Sequence, residues 1–513
     1  MSKNFYITTP IYYVNDVPHI GHAYTTLACD VLARFKRLDG FNVKFLTGTD
    51  EHGQKVDKAA AAAGMSPQAF TDKVSQNFRE LCSVMNFSND DFIRTTEPRH
   101  YKAVENLWNE LVKRDEIYLD KYAGWYAVRD EAFYGEDELQ DVDGKKIAPS
   151  GAECEWVEEE SYFFRLSKWQ DRLLKYYDEN PDCIMPSSRR NEVISFVKSG
   201  LRDLSVSRTT FNWGVPVPGA DKHIMYVWID ALTNYITALG YPNMDGEMKG
   251  LWPTAIHMVG KDILRFHAVY WPAFLMAADL PPPARVFAHG WWTIEGQKMS
   301  KSLGNVIAPQ YLVDTYGLDQ TRYFMLREVP FGNDGDFSHA QMIARVNSEL
   351  SNNLGNLLQR TLSFIQKNAG ATVPHPAQLQ ANDQLLMTQI DMAIRTVRDH
   401  LDKQEFHKAI ETIVGLSNSA NSYIDSEAPW TLKKNNEIDR MNTVLFILCE
   451  AIRALGLLLL PFIPDSAHKM LDAIAVPENQ RNFAAYGRAG ECKPGTPLPP
   501  PAPIFPRFEE KAA

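Results

Sequence analysis

The first fifty residues alternate between short apolar runs and one amphipathic stretch. A β-prone run covers Phe5 to Thr8, and a second covers Val43 to Leu46. Between these runs, apolar side chains recur at four-residue spacing, the buried stripe of a helix, at Leu27, Val31 and Phe35. Gly40 suits the left-handed position that ends a helix. The pattern predicts a β-α-β unit with a right-handed crossover, and such folds bind ligands at the carboxyl ends of their strands.

The residue pattern and composition change twice in the middle of the chain. Residues 66–115 have a helical pattern, whereas 122–156 are rich in aromatic, glycine and acidic residues with short β-like pieces, which indicates an inserted module. A second α/β half follows at 223–290, with apolar runs at 224–231, 256–259 and 286–288. Four polar residues lie within or beside these runs, namely Asp230, Lys261, His267 and His289.

The pattern becomes strongly helical from about residue 340. Apolar residues again recur at four-residue spacing, at Met342, Val346, Leu350, Leu354 and Leu358. Further helices are predicted at 383–403, 405–426, 436–460 and 465–475, which together suggest a helix bundle. The proline-rich stretch 494–506 is expected to be extended or wrapped on the surface.

Composition narrows the class of protein only slightly. With 513 residues, 45% hydrophobic and 23% charged, the chain reads as an ordinary globular protein of two or three units. No signal peptide is recognisable, and the apolar run from Leu455 to Ile463 is far shorter than the ~20 residues of a membrane span, so we expect a cytoplasmic protein without membrane contact. A net charge of −11 argues weakly against a nucleic-acid partner without excluding one. None of the six cysteines forms a CxxC pair, so neither a disulfide framework nor a cysteine-based zinc site is supported.

Two short motifs carry candidate phosphate chemistry. The first is His19-Ile-Gly21-His22, placed where the strand gives way to the helix, because a helix N-terminus favours phosphate and Gly21 permits close approach. The second is Lys298-Met-Ser-Lys301-Ser, whose two lysines suit a mobile clamp on a leaving pyrophosphate. Taken singly, each has a plain alternative: two surface histidines, or a solvated basic loop.

Together and in this order, the HIGH and KMSKS motifs resemble the signature of class I aminoacyl-tRNA synthetases. Four further runs narrow the resemblance to the methionyl-tRNA synthetases, namely 9–16, 47–53, 226–235 and 257–267. The resemblance implies that His19, Gly21, His22 and Lys301 contact ATP, with Lys298 also in the catalytic set. It implies an α/β Rossmann-like catalytic domain (1–117 and 223–290) around a connective module (118–222), a KMSKS junction (291–340), a helical anticodon-binding domain (341–490) and a tail (491–513).

The same resemblance assigns an amino-acid pocket. A thioether is soft and apolar, so its pocket should be aromatic with a polar donor near sulfur. The implied methionine-binding residues are Ile11, Tyr13, Asp50, Trp228, Ala231, Tyr235, Ile263, Phe266 and His267. Tyr235 and His267 are the candidates near sulfur, and Asp50 would hold the substrate ammonium. Each aromatic has core packing as its alternative, and Asp50 has a role as a buried turn cap.

The helical domain supplies the candidates for RNA contact. Asn356 and Arg360 share a helical face, and Trp430 follows a proline turn. The family resemblance implies that these three residues bind the anticodon by stacking and hydrogen bonding. The alternative is a buried tryptophan beside a solvated polar pair.

The chain departs from many of its relatives in the inserted module. Ala127 and Asp130 stand where zinc-binding cysteines are expected, so we predict no structural zinc and a module held by aromatic packing through Trp125, Tyr126, Phe133 and Tyr134. The insertion is too short for a large editing domain, and no dimerising C-terminal domain is recognised, which favours a monomer.

The implied function is ligation of methionine to tRNA(Met) with ATP, the phosphates being accompanied by Mg²⁺. Three alternatives remain open on sequence: a synthetase for another apolar amino acid, a non-catalytic scaffold descended from a synthetase, and a small-molecule nucleotidyltransferase. Intact motifs disfavour the scaffold, and the long helical domain disfavours the nucleotidyltransferase.

Overall fold

A computed structural model of the chain describes residues 3–14, 17–299 and 305–509. The described residues form two compact units. The sheet unit comprises Asn4–Pro18 and Val43–His289, and the helical unit comprises Met1–Lys3, His19–Asn42 and Gly290–Ala513.

The strands are short except for two in the inserted module. They are β1 (Asn4–Thr8), β2 (Tyr12–Tyr13), β3 (Asn42–Asp50), β4 (Asp91–Arg94), β5 (Ile117–Ala127), β6 (Ala132–Tyr134), β7 (Gln140–Val142), β8 (Lys145–Ile147), β9 (Glu153–Phe164), β10 (Ile184–Met185), β11 (Leu204–Ser205), β12 (Ser207–Arg208), β13 (Ile224–Met225), β14 (Ala255–Gly260), β15 (Arg285–His289), β16 (Trp292–Ile294), β17 (Gln297–Lys298) and β18 (Gly335–Phe337).

The longest helices lie in the C-terminal half. The helices are α1 (Ile20–Leu38), α2 (Gln54–Ala62), α3 (Pro67–Val84), α4 (Pro98–Lys113), α5 (Gln170–Glu179), α6 (Ser187–Lys198), α7 (Val227–Thr237), α8 (Glu247–Leu251), α9 (Trp271–Ala277), α10 (Pro309–Tyr316), α11 (Leu318–Arg327), α12 (His339–Arg345), α13 (Asn356–Asn368), α14 (Ala381–Asp402), α15 (Phe406–Glu427), α16 (Pro429–Lys434), α17 (Ile438–Leu459) and α18 (Pro464–Ala473).

The central sheet of the sheet unit has the strand order β10-β15-β14-β1-β3-β2, with β4 also paired to β3. The pairs β1/β14, β14/β15, β2/β3 and β3/β4 are parallel, as expected for the predicted α/β catalytic domain. Tyr13 and Asp50 are cross-strand partners at the carboxyl ends of β2 and β3. The sheet therefore delivers both side chains to the edge where parallel folds bind ligands.

The predicted helical pattern over 66–115 is interrupted by one strand. Residues Asp91–Arg94 form β4, which pairs with the far half of β3 and extends that strand well beyond the expected Leu46. The close approach needs glycine, because a Cβ on Gly48 would lie 2.0 Å from the Ile93 carbonyl oxygen. A four-residue strand has too little periodicity to stand out from the helices on either side.

The inserted module is an antiparallel β structure; the sequence predicted its β content but only as short pieces. Its long ribbon pairs β5 with β9, from Ile117 opposite Phe164 to Tyr126 opposite Glu155. The short strands β6 and β8 pair with β5 and β9, respectively.

The helical unit contains the predicted bundle, with each expected helix ending within two residues of its predicted bounds. The segment Val346–Gly355 between α12 and α13 is a π-helix, which the sequence pattern did not specify. Strict four-residue spacing drifts by about 40° per step on an α-helix. The wider π turn reduces that drift, and all five residues of the spacing are buried.

Helix α17 is long and apolar enough to cross a membrane, but 94% of its apolar window is buried inside the protein. Its role is that of a core helix, packed against α14, α15 and α18.

Charged groups tie α1 to the rest of the helical unit. Arg322 on α11 is fully buried and donates to Asp30 of α1 at 2.7 Å, and to the carbonyl of Phe462 at 2.9 Å. Near the end of α1, Asp39 accepts a bidentate bond from Arg398 on α14, at 2.6–3.1 Å.

Candidate active site and RNA-binding face

The HIGH motif forms the N-terminus of α1. His19 is the N-cap and its Nδ1 accepts the Gly21 N–H at 3.1 Å, while the His19 N–H donates to His22 Nδ1 at 3.1 Å. Burial and the neighbouring His19 hold the pKa of His22 well below its usual range, so this imidazole is neutral. Because Nδ1 accepts in both rings, a neutral ring carries its proton on Nε2. Each histidine is then a hydrogen-bond donor at a helix N-terminus, which suits phosphate oxygens.

The pair of strands that precedes KMSKS contacts the HIGH helix through β16, within the helical unit. Lys298 ends β17, which pairs with β16, and Trp292 of β16 makes an edge-on contact with Tyr24 of α1 at 5.4 Å between ring centroids. The Ile20 N–H donates to the carbonyl of Ile307 at 3.1 Å. The chain on both sides of KMSKS is thereby held against α1. The Lys298 side chain and Lys301 itself lie outside the described residues.

The predicted aromatic pocket lies in the sheet unit. Trp228 and Phe266 stack face to face, with 3.8 Å between ring centroids and 5° between planes. Tyr235 belongs to the same apolar cluster, against which the side chains of Ile11, Tyr13 and Ile263 pack. Ala231 lies on α7, one turn from both Trp228 and Tyr235. The structure therefore groups the aromatic members Trp228, Tyr235 and Phe266 at α7, and packs Ile11, Tyr13 and Ile263 against the same large apolar core.

The two polar candidates of that pocket bond to each other. His267 Nδ1 lies 2.9 Å from the Ile263 carbonyl, which only accepts, so Nδ1 carries the proton. Burial lowers the pKa of His267 to about 4, so the ring is neutral and Nε2 is an acceptor. The Tyr235 hydroxyl lies 2.7 Å from Nε2 and donates to it. In this arrangement the Tyr235 proton is directed at His267, which leaves the hydroxyl oxygen lone pairs for other groups.

Asp50 is a buried carboxylate with an unsatisfied oxygen. It is 2% exposed, and its Oδ1 has no hydrogen-bond partner among the residues that the structure describes. Burial, followed by the charges of Asp230 and Glu131, raises the pKa of Asp50 well above its usual range. Its cross-strand partner Tyr13 also has a buried hydroxyl that no described residue bonds. A cation placed here would satisfy the carboxylate and reverse the electrostatic penalty.

Sequence reasoning missed the side chains that hold the Asp50 loop. Asp230 on α7 accepts from His52 Nδ1 and from His100 Nε2, both at 2.7 Å, and these contacts lower the pKa of Asp230 to about 2 despite its burial. His52 also lies 3.0 Å from the Tyr101 hydroxyl. The Asp230 carboxylate therefore links α7 to the loop after β3 and to α4. The signal in the sequence for this role is an acid, Asp230, inside the apolar run at 224–231.

The inserted module has a small apolar centre. Ala127, Ala148, Ala152 and Cys154 form a buried cluster, with Trp125 and Tyr134 packed against it. Asp130 accepts from the Tyr134 hydroxyl at 3.0 Å and from the Ser150 hydroxyl. In the described part of the chain, no three His, Cys, Asp or Glu side chains are grouped as metal ligands.

The other two aromatics that we expected to hold the module, Tyr126 on β5 and Phe133 on β6, contact each other with 4.8 Å between ring centroids. Tyr126 and Phe133 lie around the buried Arg208 guanidinium, 5.2 and 4.2 Å from their ring centroids. Tyr226, which precedes α7, completes this cage at 4.7 Å. These rings therefore connect the module to the catalytic domain.

The candidate RNA-binding residues share one face of the bundle. The Arg360 guanidinium lies over the Trp430 ring, 5.5 Å from its centroid, and pairs with Asp425 at 2.5 Å. Asn356, the first residue of α13, is exposed one turn before Arg360. Trp430 is 44% exposed, which rules out the alternative of a core anchor. An exposed ring braced by a cation is a platform on which an unstacked base can lie.

Comparisons with known proteins cover nearly the whole chain. The family model described as tRNA synthetases class I (M) matches residues 5–362, and that described as the anticodon binding domain of methionyl tRNA ligase matches 373–513. The methionine–tRNA ligase of Rickettsia conorii is 57% identical over 99% of this chain and 100% of the relative. That of Brucella suis biovar 1 is 54% identical over 99% and 98%.

A solved structure gives the same result. Mycobacterium tuberculosis methionyl-tRNA synthetase in complex with methionyl-adenylate has a TM-score of 0.96 and 49% identity, over 98% of this chain and all of that one. On this evidence the chain belongs to the methionyl-tRNA synthetase family of class I aminoacyl-tRNA synthetases.

Proposed function

We propose that the protein joins L-methionine to tRNA(Met) in two steps. A carboxylate oxygen of methionine attacks the α-phosphorus of ATP, and the bond to the leaving pyrophosphate breaks to give methionyl-adenylate. The 2′-hydroxyl of the terminal tRNA ribose then attacks the methionyl carbonyl and releases AMP. Mg²⁺ enters with the phosphates, since it keeps phosphate and water oxygens as ligands. The methionyl-adenylate in the similar Mycobacterium tuberculosis structure supports the first step.

The observation that carries the proposal is the unsatisfied Asp50 oxygen beside an aromatic pocket. A buried carboxylate without a partner is costly, and the α-ammonium of an amino acid is the cation that a synthetase must bind. The ammonium pairs with Asp50, while the thioether lies among Ile11, Tyr13, Trp228 and Phe266. Ala231 and Ile263 complete the apolar wall.

The polar end of the pocket selects sulfur over carbon. A purely apolar pocket separates methionine from leucine by only ~1–3 kcal/mol. The Tyr235–His267 pair adds a polarised hydroxyl near the side chain, where a soft, polarisable sulfur is preferred to a methyl group. His267 orients this hydroxyl because its neutral Nε2 accepts the hydrogen bond from Tyr235.

The two signature motifs act on the phosphates. His19 and His22 donate from Nε2 at the start of α1, and Gly21 allows the backbone to approach. Lys298 and Lys301 stabilise the charge that develops on the pyrophosphate. With no protein nucleophile in the scheme, catalysis comes from orientation and charge stabilisation.

The RNA partner is recognised on the helical unit. We assign anticodon contact to the face formed by Asn356, Arg360 and Trp430, with base stacking on the tryptophan. The match of residues 373–513 to a methionyl anticodon-binding domain supports this partner. We further propose a cytoplasmic monomer without membrane contact, which sedimentation at micromolar concentration and cell fractionation test directly.

The deciding experiment is amino-acid-dependent ATP–pyrophosphate exchange with each of the twenty amino acids, followed by aminoacylation of tRNA(Met). Exchange with methionine alone, and charging of tRNA(Met), is the expected result. Exchange with another apolar amino acid would retain the class and reject the pocket assignment. Folded protein that neither exchanges nor charges would indicate a non-catalytic scaffold.

A further inference from the structure

Glu131 is a buried acid that the scheme above leaves unused. It lies in the turn between β5 and β6, at the tip of the inserted module, where its φ is +50°. It is 1% exposed, although acids in such turns are ordinarily at the surface. Its carbonyl accepts the Tyr226 hydroxyl at 2.7 Å, which fixes the turn against the catalytic domain.

The Glu131 carboxylate meets the chain just after Asp50. Its Oε1 accepts the backbone N–H of Lys55 at 3.2 Å. A Cβ on Gly53, whose φ is +103°, would lie 2.8 Å from the same oxygen, so glycine is needed for this contact as well as for the backbone conformation. The module tip is thus seated on the first turn of α2.

Helix α2 has no cap of its own. Its N-cap residue is Gly53, which carries no side chain, and Lys55 is its second residue. The first N–H groups of a helix need acceptors, and a negative charge is favourable at this end. Glu131 supplies the acceptor from a segment more than seventy residues away in sequence, although burial raises the pKa of its carboxyl to about 7.

The capped turn is joined directly to the amino-acid site. Residues 51–53 connect the end of β3, where Asp50 lies, to the start of α2. The Glu131 charge is close enough to contribute to the raised pKa of Asp50, and the Lys55 ammonium lies 4.8 Å from the Tyr13 ring centroid. Any shift of the α2 terminus therefore moves the Asp50 loop.

We propose that Glu131 is a positioning residue for the substrate ammonium. It caps α2 from a distant segment of the same chain and so holds the loop that carries Asp50. The inference rests on the proposed role of Asp50 as the ammonium-binding carboxylate. It makes the tip of the inserted module a structural part of the methionine site.

The test compares Glu131→Ala, Glu131→Gln and Glu131→Asp in the full-length enzyme, by methionine- and ATP-dependent pyrophosphate exchange. We expect Glu131→Ala to raise KM for methionine about tenfold, as loss of a helix cap in contact with the site implies, with KM for ATP changed less than about twofold. Glutamine keeps an acceptor oxygen at the same reach and should restore KM to within about threefold of wild type. Aspartate keeps the charge but falls short of the Lys55 N–H, so it should resemble alanine.

A second readout isolates the ammonium. The inhibition constant of 4-(methylsulfanyl)butanoate, which is methionine without its amino group, should stay within about twofold of wild type in all three variants. Glu136→Gln, an exposed acid in the same module, is the matched control and should change nothing. Should Glu131→Ala fail to fold, the aspartate and glutamine variants carry the same comparison.

The outcomes separate this inference from the function on which it rests. If Asp50→Asn leaves the affinity for methionine unchanged, the assignment of Asp50 fails whatever the Glu131 variants do. If Asp50→Asn weakens methionine but the folded Glu131 variants do not, the positioning inference alone is overturned. An equal rise of both KM values, or a glutamine variant as weak as alanine, would likewise overturn it.

Discussion

Replacing Asp50 by asparagine should raise stability and lower activity at the same time. The substitution keeps the shape of the side chain and removes the charge of a carboxylate that is 2% exposed and has one oxygen without a partner in the described structure. In the free protein that charge destabilises the fold, because burial and the neighbouring acids oppose ionisation of Asp50. In the substrate complex the same charge is the partner of the ammonium.

The stability effect has a definite sign and pH dependence. The folded pKa of Asp50 lies well above its unfolded value, so the unfolded state loses its proton first as pH rises. Stability of the wild type therefore falls as pH rises from about 4 towards the folded pKa, at about 1.4 kcal/mol for each unit. Asp50→Asn removes this loss, and its Tm should exceed that of the wild type at pH 7.5 by more than at pH 4.5.

The catalytic effect follows from leaving the substrate charge unpaired. Breaking a buried ion pair by removing one partner costs about 3–5 kcal/mol, so kcat/KM for methionine in pyrophosphate exchange should fall at least about a hundredfold. Asp221→Asn, an exposed aspartate in the same unit, serves as the control. A variant that is less stable than the wild type at pH 7.5, or that retains near-normal kcat/KM, would refute the reasoning.

Three further substitutions test other parts of the molecule. Tyr235→Phe removes the donor to His267 and should weaken methionine more than leucine, measured as the ratio of their exchange rates. Arg322→Met removes one of the two arginines that bond the buried Asp30 and leaves Arg34 as the other, so it should cost about 1–3 kcal/mol in denaturant unfolding. Trp430→Ala removes a stacking platform worth about 1–3 kcal/mol and should lower kcat/KM for tRNA(Met) roughly fivefold or more, with pyrophosphate exchange unchanged.

Each of these expectations has a contrary result. Equal losses for methionine and leucine would remove Tyr235 from the sulfur contact. An Arg322 variant as stable as the wild type would mean that Arg34 alone satisfies Asp30. A Trp430 variant that charges tRNA(Met) normally would move the anticodon contact to another surface, and the exposed Trp156→Ala is its matched control.

The features that sequence determined are those set by neighbours along the chain. The start of α1 at Ile20, its end at Leu38 and the left-handed Gly40 follow from apolar spacing and cap chemistry, which depend on a few adjacent residues. The bundle helices followed for the same reason. The family was recognisable because the two motifs and their flanking runs are contiguous stretches. The pocket residues came from that resemblance, and the structure packs their apolar members in or against one large core.

What only the tertiary structure decided depends on pairs of residues far apart in sequence. The strand β4 forms because its backbone bonds to β3. A four-residue segment is too short for its sequence pattern to predict that pairing. Asp230 acquires its role from His52 and His100. The bond between Tyr235 and His267 fixes the orientation of the hydroxyl that we propose to lie near sulfur. Glu131 caps a helix from another module. Burial, and hydrogen bonds between residues far apart in sequence, fix these protonation states and orientations. Local periodicity depends only on neighbouring residues and cannot predict such contacts.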